Sequence, residues 1–425
     1  MTKETPEPAP NILPRCPNKV PFHAQRTTHS RYHNTRPYQA PATTVESEIP
    51  AVSVYRRMDS PYALELAVAL GAVQDAAKLS KIVLADHDKG TIKKDDLSPV
   101  TVGDFAIQAL LTATFHHAFP ADKFIGEESA DELRGNPELL NRVYELAERV
   151  RADGESCPTT KAPESRGELL EMIDWCGHGM PGGADAGRVW VFDPIDGTKT
   201  FVRGEIYAIN IALLEGGKPV LGVVGCPLLS KDATAPVFDN SIDPTGQGCI
   251  LFAIKDHGTY VRRLFGLPLE VTPQRLERHA DKVTTIQDLR SVSTLILETG
   301  ISPIHRAVTE QLGVPFPGCD VFGSVPRCAV LALGLANLLV WVYKIRSHYS
   351  KIWDYAGSML LFEEVGGKIT DVDGKDIDFS AGRKLTNNFG YLAAPRAVHA
   401  MVLKKLQEVI REQGMGHLLA TSTPT

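Results

Sequence analysis

The chain has no run of about 18 uninterrupted apolar residues, so no membrane-spanning helix is expected. Its longest apolar stretch, Ala329–Tyr343, is broken by Gly334 and Asn337 and reads as buried core. Nor is there an excess of positive charge. The 45 Lys and Arg stand against 51 Asp and Glu, a net of −6, which excludes a general nucleic-acid binder with its basic face. Cysteine is scarce and scattered. The seven (16, 157, 176, 226, 249, 319, 328) are odd in number and contain no Cys-x-x-Cys pair. Neither a disulfide framework nor a zinc site is therefore indicated, and a reducing, cytoplasmic setting is expected. Internal repeats and heptads are missing too. What is there, 43% hydrophobic and 23% charged residues over 425 positions, is an ordinary globular composition, long enough for two domains.

The first 57 residues lack helical or strand periodicity. Rich in Pro, Thr, Arg and His, they hold no acid between Asn11 and Val45. Glu4, Glu7 and the prolines spoil the amphipathic helix a transit peptide needs. A disordered extension over 1–57 is expected, with mitochondrial targeting as the lesser alternative and Met58 as a candidate native start. Beyond it, Ser60-Pro61 and the spacing of Leu64, Ala67, Val68 and Ala72 predict a helix to about Val83. Thr101 with Asp104 forms a capping box for a second helix through Phe115. Residues 130–152 read as helix and 153–167 as a polar loop. Strands are expected at 188–193, 206–214 and 219–225, the last two joined by a Glu-Gly-Gly-Lys turn. Then come a β-rich stretch at 248–261, a strand near 291–297, helices at 302–312 and 325–336, a strand at 338–343 and a helix at 353–365. This mixture predicts layered α/β and α+β packing. The expected domains are 58–245 and 246–415, with a flexible tail at 416–425.

The run Asp193-Pro194-Ile195-Asp196-Gly197-Thr198 follows the apolar segment 188–192. Side chains three apart on a strand face opposite ways, so the two Asp converge only if the chain turns between them. Pro194 fixes φ and gives up its N–H; Gly197 lets the backbone pass close to a ligand. Two carboxylates plus the Ile195 carbonyl make an all-oxygen site for a hard cation. Gly197 and Thr198 then offer N–H groups and a hydroxyl to an anion, a combination that points to metal-assisted phosphate chemistry. Taken alone, the run also reads as an acidic surface turn.

Further carboxylates stand at the edges of expected elements: Asp96, Glu127 and Asp354. Singly, these are a helix cap or solvated loops. Together with Asp193 and Asp196 they supply five negative charges to one cleft, which would repel one another unless two or three Mg²⁺ neutralised them. A pair of such metals holds the attacking water and the departing oxygen of an in-line phosphoryl displacement.

Three motifs, Asp-Pro-Ile-Asp-Gly-Thr (193–198), Gly-Glu-Glu-Ser (126–129) and Trp-Asp-Tyr-Ala-Gly (353–357), resemble the signatures of the lithium-sensitive, magnesium-dependent phosphomonoesterases. That superfamily comprises inositol monophosphatases, fructose-1,6-bisphosphatases and 3'(2'),5'-bisphosphate nucleotidases. The segments Asp96–Asp104, Gly187–Trp190, Lys199–Gly204, Leu331–Ala336 and Lys351–Asp354 are similar to the nucleotidase branch, over about residues 60–410. The resemblance implies a layered αβαβα fold with two sub-domains and metal ligation by Glu127, Asp193, the Ile195 carbonyl, Asp196 and Asp354. Asp96 and Thr198 would orient and deprotonate the attacking water, and the Gly197 and Thr198 amides would hold the scissile phosphate. Asp354, His305, Ser324 and Arg327 would contact the substrate. The implied activity is removal of the 3'-phosphate from adenosine 3',5'-bisphosphate, and from its sulfated analogue, by a monomer or homodimer that takes a small phosphorylated substrate and neither nucleic acid nor membrane. The alternatives are a phosphatase for inositol phosphates or other small metabolites and a phosphate-binding paralogue without turnover. Two positions depart from the pattern. Thr200 replaces a Gly beside the phosphate. Trp341 replaces a substrate-contacting Arg, and either stacks on a base or belongs to the core, with Lys344 and Arg346 as cations able to stand in.

Overall fold

The computed structural model describes residues 50–420, apart from 87–88, 94–98, 153, 155, 184–186 and 297–298. Helices α1 (Pro50–Arg57) and α2 (Ala63–Ala85) come first. Residues 50–57 of the extension expected over 1–57 are therefore helical, and residues 1–49 lie outside the described residues. Ala51, Val52, Val54 and Tyr55 are buried; the Tyr55 hydroxyl donates to Leu269 O at 3.1 Å, and its ring meets Phe252 edge-on. A chain begun at Met58 would lose these contacts. The short antiparallel pair β1 (Ile92–Lys93) and β2 (Pro99–Val100) precedes α3 (Val102–Ala118). The expected capping box is present: Asp104 Oδ2 accepts from Thr101 N at 2.8 Å, and Thr101 Oγ1 accepts from Gly103 N at 3.1 Å.

Next come β3 (Lys123–Gly126), α4 (Asp131–Gly135), α5 (Pro137–Ala152) and α6 (Arg166–Trp175). The single helix expected over 130–152 is two helices. Pro137, which has no N–H to offer a preceding turn, starts the second. α6 occupies a stretch where no helix was expected, and begins on the Ser165 hydroxyl, which accepts from Glu168 N at 3.1 Å. Then follow β4 (Arg188–Asp196), α7 (Thr198–Arg203), β5 (Ala208–Glu215), β6 (Lys218–Cys226), β7 (Cys249–Ile254), β8 (Gly258–Arg263) and β9 (Gln274–Arg275). Strands β3 to β9 form one seven-stranded sheet in chain order, with only β3 and β4 parallel. The period-two rule sorts its residues: Trp190 and Phe192 join the core of α2 and α3, Val189 and Val191 the core on the other face. The domain boundary expected at 245 falls inside this sheet, because β7 pairs directly with β6. Residues 227–248, rich in Pro, Gly and Asp, look like a linker but are an excursion between neighbouring strands.

In the remaining chain, β10 (Val292–Ser293) pairs in parallel with β11 (Cys319–Asp320) across α8 (Ser302–Gln311). The strand near 291–297 is thus much shorter than expected. There follow α9 (Ser324–Ala332), β12 (Leu339–Trp341), α10 (Ile352–Tyr355), α11 (Ser358–Glu363), β13 (Gly367–Thr370), β14 (Tyr391–Pro395) and α12 (His399–Glu412). The helix expected over 353–365 is two, hinged at Gly357, where a Cβ would meet Ile211 O of the large sheet at 2.6 Å. β12, β14 and β13 make a small antiparallel sheet. α11 packs on β6 and β7 on one side and on β13 on the other, while α12 packs on β14 and on α8. The order is therefore helices, seven-stranded sheet, helices α9 and α11, three-stranded sheet, helices: the αβαβα layering. Residues 416–420, expected to be flexible, belong to the fold. Leu418 is buried, and Ala420 N donates to Asp373 Oδ1 at 2.8 Å. No helix among the described residues is long and apolar enough to cross a membrane.

Candidate active site

The β4–β5 register places Asp193 opposite Asn210 and Asp196 opposite Ala208, three steps on one strand against two on the other. The turn expected at Pro194 is thus a β-bulge. The extra residue reverses the alternation, so that carboxylates three apart reach one side. Pro194 has no N–H to contribute to the ladder and suits the bulge. Gly197 follows with φ 87° and ψ 40°, a left-handed conformation natural to glycine, and α7 begins at Thr198. The Thr198 hydroxyl donates to Ile195 O at 3.1 Å. The buried Thr200 hydroxyl donates to Gly197 O at 2.7 Å, so the side chain that departs from the resemblance turns inward.

Asp354 lies in α10, with its carbonyl accepting from Ser358 Oγ at 2.8 Å. Carboxylate oxygens of Asp193, Asp196 and Asp354 all lie within 4.8 Å of one another. Glu127 follows β3 on a turn held from both sides. Gln108 of α3 exchanges hydrogen bonds with Glu128, accepting at 2.8 Å and donating at 2.9 Å, while Arg383 donates to Gly126 O at 2.6 Å.

The electrostatics show five carboxylates in one field. Burial pushes Asp193 well above the usual carboxylate range, helped by Glu127, Asp196, Asp354 and Asp104. Desolvation, then Asp196 and Glu127, raises Asp354 likewise. Asp196 rises to about 6 through desolvation, moderated by the hydrogen bond it accepts from Val325 N at 2.7 Å. Asp193 Oδ1 is buried and has no hydrogen-bond partner among the described residues, a costly state for a carboxylate oxygen unless a cation supplies the missing charge. The acidic cluster thus suits a hard, oxygen-seeking metal ion.

Asp96 lies outside the described residues. His305, on α8, is buried; its Nε2 accepts from Val342 N at 2.8 Å, and burial lowers its pKa to about 3, so the ring is neutral. Arg327, on α9, is also buried. Its guanidinium donates to Phe322 O at 2.7 Å, Ser324 Oγ at 3.1 Å and Tyr391 Oη at 3.2 Å, and sits 4.6 Å from the centre of the Trp341 ring. Ser324 opens α9 and also approaches Tyr355 Oη at 3.3 Å. Trp341 is only 6% exposed, in contact with Arg327 and with its ring nearly parallel to that of Tyr391, which makes it a core residue. Arg346 cannot stand in for the missing Arg, since it is tied to Asp373 at 2.5 Å.

Several residues at the site escaped the sequence. Asn210, opposite Asp193, donates to Trp353 O at 2.5 Å and ties the bulge to α10; a lone Asn in the apolar run 206–214 was the available signal. Gln108 and Arg383 act through backbone carbonyls and amides of Gly126 and Glu128, which no side-chain pattern reveals. Arg188 and Trp190, quoted for the resemblance, both donate to Asp122, at 3.1 and 2.8 Å, and anchor β4 beside β3.

Residues 59–411 match the model of the inositol monophosphatase family. The chain is similar to the 3'(2'),5'-bisphosphate nucleotidase of Schizosaccharomyces pombe, 34% identical over 345 residues, covering 80% of this chain and 94% of that protein. The enzyme of the same name from Emericella nidulans is 33% identical over 365 residues, covering 82% and 99%. The 3',5'-bisphosphate nucleotidase 2 of Arabidopsis thaliana is 34% identical over 359 residues, covering 83% and 99%. Among solved structures, the extragenic suppressor protein suhB from Bartonella henselae shares the fold, with a TM-score of 0.51 at 15% identity over 81% of this chain and 99% of that one. The layered fold and the acidic cluster thus accompany a clear family assignment: the chain belongs to the inositol monophosphatase family.

Proposed function

We propose that the protein is a magnesium-dependent, lithium-sensitive phosphomonoesterase that hydrolyses the 3'-phosphate of adenosine 3',5'-bisphosphate, and of its sulfated analogue, to leave the 5'-nucleotide and phosphate. The observation that carries the reaction class is the convergence of Asp193, Asp196 and Asp354 at the bulge. The substrate class follows from relatives named as bisphosphate nucleotidases at 34% identity over most of their length. Glu127, Asp193, the Ile195 carbonyl, Asp196 and Asp354 would hold two or three Mg²⁺, supplying Lewis acidity to the attacking and departing oxygens. The chain's own part is positional. Thr198, at the head of α7, orients the water together with Asp96. The Gly197 and Thr198 amides, on the same turn, would hold the phosphate. A reducing, cytoplasmic setting fits the six unpaired cysteines among the described residues.

The deciding experiment is phosphate release with Mg²⁺ from adenosine 3',5'-bisphosphate and from inositol 1-phosphate, with and without Li⁺. The expected kcat/KM advantage of the nucleotide exceeds about tenfold, or about 1.4 kcal/mol. Preference for inositol 1-phosphate would establish the second reading, an inositol phosphate phosphatase. That reading draws support from Trp341, which cannot neutralise a phosphate, and from Arg327, whose two Nη groups are bonded within the protein.

Metal binding should also set the pH dependence of stability. In the metal-free protein, Asp193, Asp196 and Asp354 have raised pKa values, so the folded state binds more protons than the unfolded one. Their contribution to stability is then greatest at low pH and falls as pH rises from the ordinary Asp value of about 4 through the folded-state value of about 6 for Asp196. Mg²⁺ should raise Tm more near pH 7.5 than near pH 5, because deprotonated carboxylates bind it. Differential scanning calorimetry checks this, and an equal shift at both pH values would count against ligation by these residues.

A further inference from the structure

The carboxylates of the acidic cluster come from separate elements: Glu127 follows β3, Asp193 and Asp196 close β4, and Asp354 lies in α10. Strand pairing fixes β4 beside β3. α10 is a helix of four residues and needs another tie to β3. Arg383 supplies one from its backbone and its side chain together. Its carbonyl accepts from Ile352 N, at the start of α10, at 3.0 Å, and Leu385 N donates to Ser350 O at 3.0 Å on the same stretch. Its side chain runs to the other carrier. Nη2 donates to Gly126 O at 2.6 Å and Nη1 to Cys176 O at 2.7 Å, and Cys176 O also accepts from Gly126 N at 3.1 Å. The guanidinium lies 4.9 Å from the centre of the Trp353 ring as well. Arg383 thus touches both the residue before Glu127 and the residue before Asp354.

Both Nη groups are engaged with backbone carbonyls, so this guanidinium holds the chain rather than a substrate anion. A planar fork serves two neighbouring acceptors at once, a geometry that a lysine ammonium does not reproduce. The charge also interacts with Glu127 and Glu128. Metal ligands tolerate displacements of only about 0.5 Å, and removing the groups that orient them typically costs about 10–100-fold in metal affinity. We propose that Arg383 is a positioning residue of the metal site, a clamp that holds the Glu127 turn and α10 together so that Glu127 and Asp354 reach the same metal cluster. The proposal rests on the reading of the acidic cluster as a Mg²⁺ site. It adds that metal affinity depends on a side chain that touches no metal and stands 257 residues along the chain from the carbonyl it holds.

The test is calorimetric titration of Mg²⁺ into the full chain, as wild type, Arg383→Ala and Arg383→Lys. Affinity should fall by about tenfold or more in Arg383→Ala, and by a smaller factor in Arg383→Lys, which keeps a charge beside Trp353 but not the fork. Free guanidinium ion, added well below denaturing concentration and compared with equal NaCl, should restore affinity in Arg383→Ala and leave the wild type unchanged. Trp353→Leu completes a double-mutant cycle. It should weaken Mg²⁺ binding in the wild-type background and add little to Arg383→Ala, where the clamp is already broken. Wild-type affinity in Arg383→Ala overturns the proposal. So does a loss that guanidinium fails to restore, which would make Arg383 a support of the fold in general. Additive losses in the cycle would confine its action to Glu127 and overturn the link to Asp354. Should Arg383→Ala fail to fold, Arg383→Lys decides, and an unchanged affinity there overturns the clamp. A wild type that binds no Mg²⁺ would fail the metal reading itself, whereas one that binds the ion beside an unaffected Arg383→Ala fails the clamp alone.

Discussion

Asp193→Asn and Asp354→Asn are each expected to lower phosphate release by on the order of 10³-fold or more, a loss of about 4 kcal/mol of transition-state stabilisation. The substitutions keep side-chain shape and remove one charged ligand oxygen. Their effect on the fold should run the other way. In the metal-free protein, burial is the leading cause that disfavours the Asp193 and Asp354 charges, and the neighbouring carboxylates add to it. A neutral amide relieves both, so the metal-free variants should match or exceed the wild type in Tm. With Mg²⁺ the order should reverse, because the wild type gains binding free energy that the variants lack. Turnover, Mg²⁺ affinity by calorimetry and Tm with and without the metal therefore form one experiment. Wild-type-like rates in both variants would remove the metal argument. Loss of activity together with a lower metal-free Tm would mean that these carboxylates are structural rather than ligands.

The acidic cluster was legible because its residues are chemically conspicuous and stand at the ends of apolar runs: Asp193 and Asp196 after 188–192, Glu127 after Phe124-Ile125. The convergence of Asp193 and Asp196 could be inferred from parity alone. The device that achieves it, a bulge paired to Asn210 and Ala208, depends on strand register, which a single segment does not encode. The same limit explains the misplaced domain boundary, because the pairing of Cys226 with Cys249 crosses a loop that composition marks as a linker. α1 was hidden by the Pro- and Arg-rich segment before it, although Ala51, Val52, Val54 and Tyr55 carry the packing. The supports of the site were the least legible part. Gln108 and Arg383 act on backbone atoms, and Arg383 reaches a carbonyl 257 residues away in the chain.

Trp341→Arg, which restores the residue that the nucleotidase pattern would place there, should destabilise the protein by about 4 kcal/mol or more. The Arg327 guanidinium already lies 4.6 Å from the centre of the Trp341 ring, in a site where both residues are buried. Two guanidinium groups at that separation repel by about 3–4 kcal/mol at an effective dielectric near 20. The favourable contact of Arg327 with the indole, on the order of 1 kcal/mol, is lost as well. His305, neutral and beside the ring at 5.2 Å, cannot absorb the charge. Trp341→Phe keeps an aromatic face for Arg327 and stays apolar, so its cost should be a fraction of that. The cause is separable by a double-mutant cycle. If charge repulsion dominates, Trp341→Arg should be less damaging when combined with Arg327→Gln, with a coupling of about 2–3 kcal/mol in the urea midpoint analysis. The opposite outcome is equally informative. A stable Trp341→Arg variant with improved kcat/KM for adenosine 3',5'-bisphosphate would mean that position 341 faces the substrate during turnover. The contacts among Arg327, Trp341 and Tyr391 would then have to open.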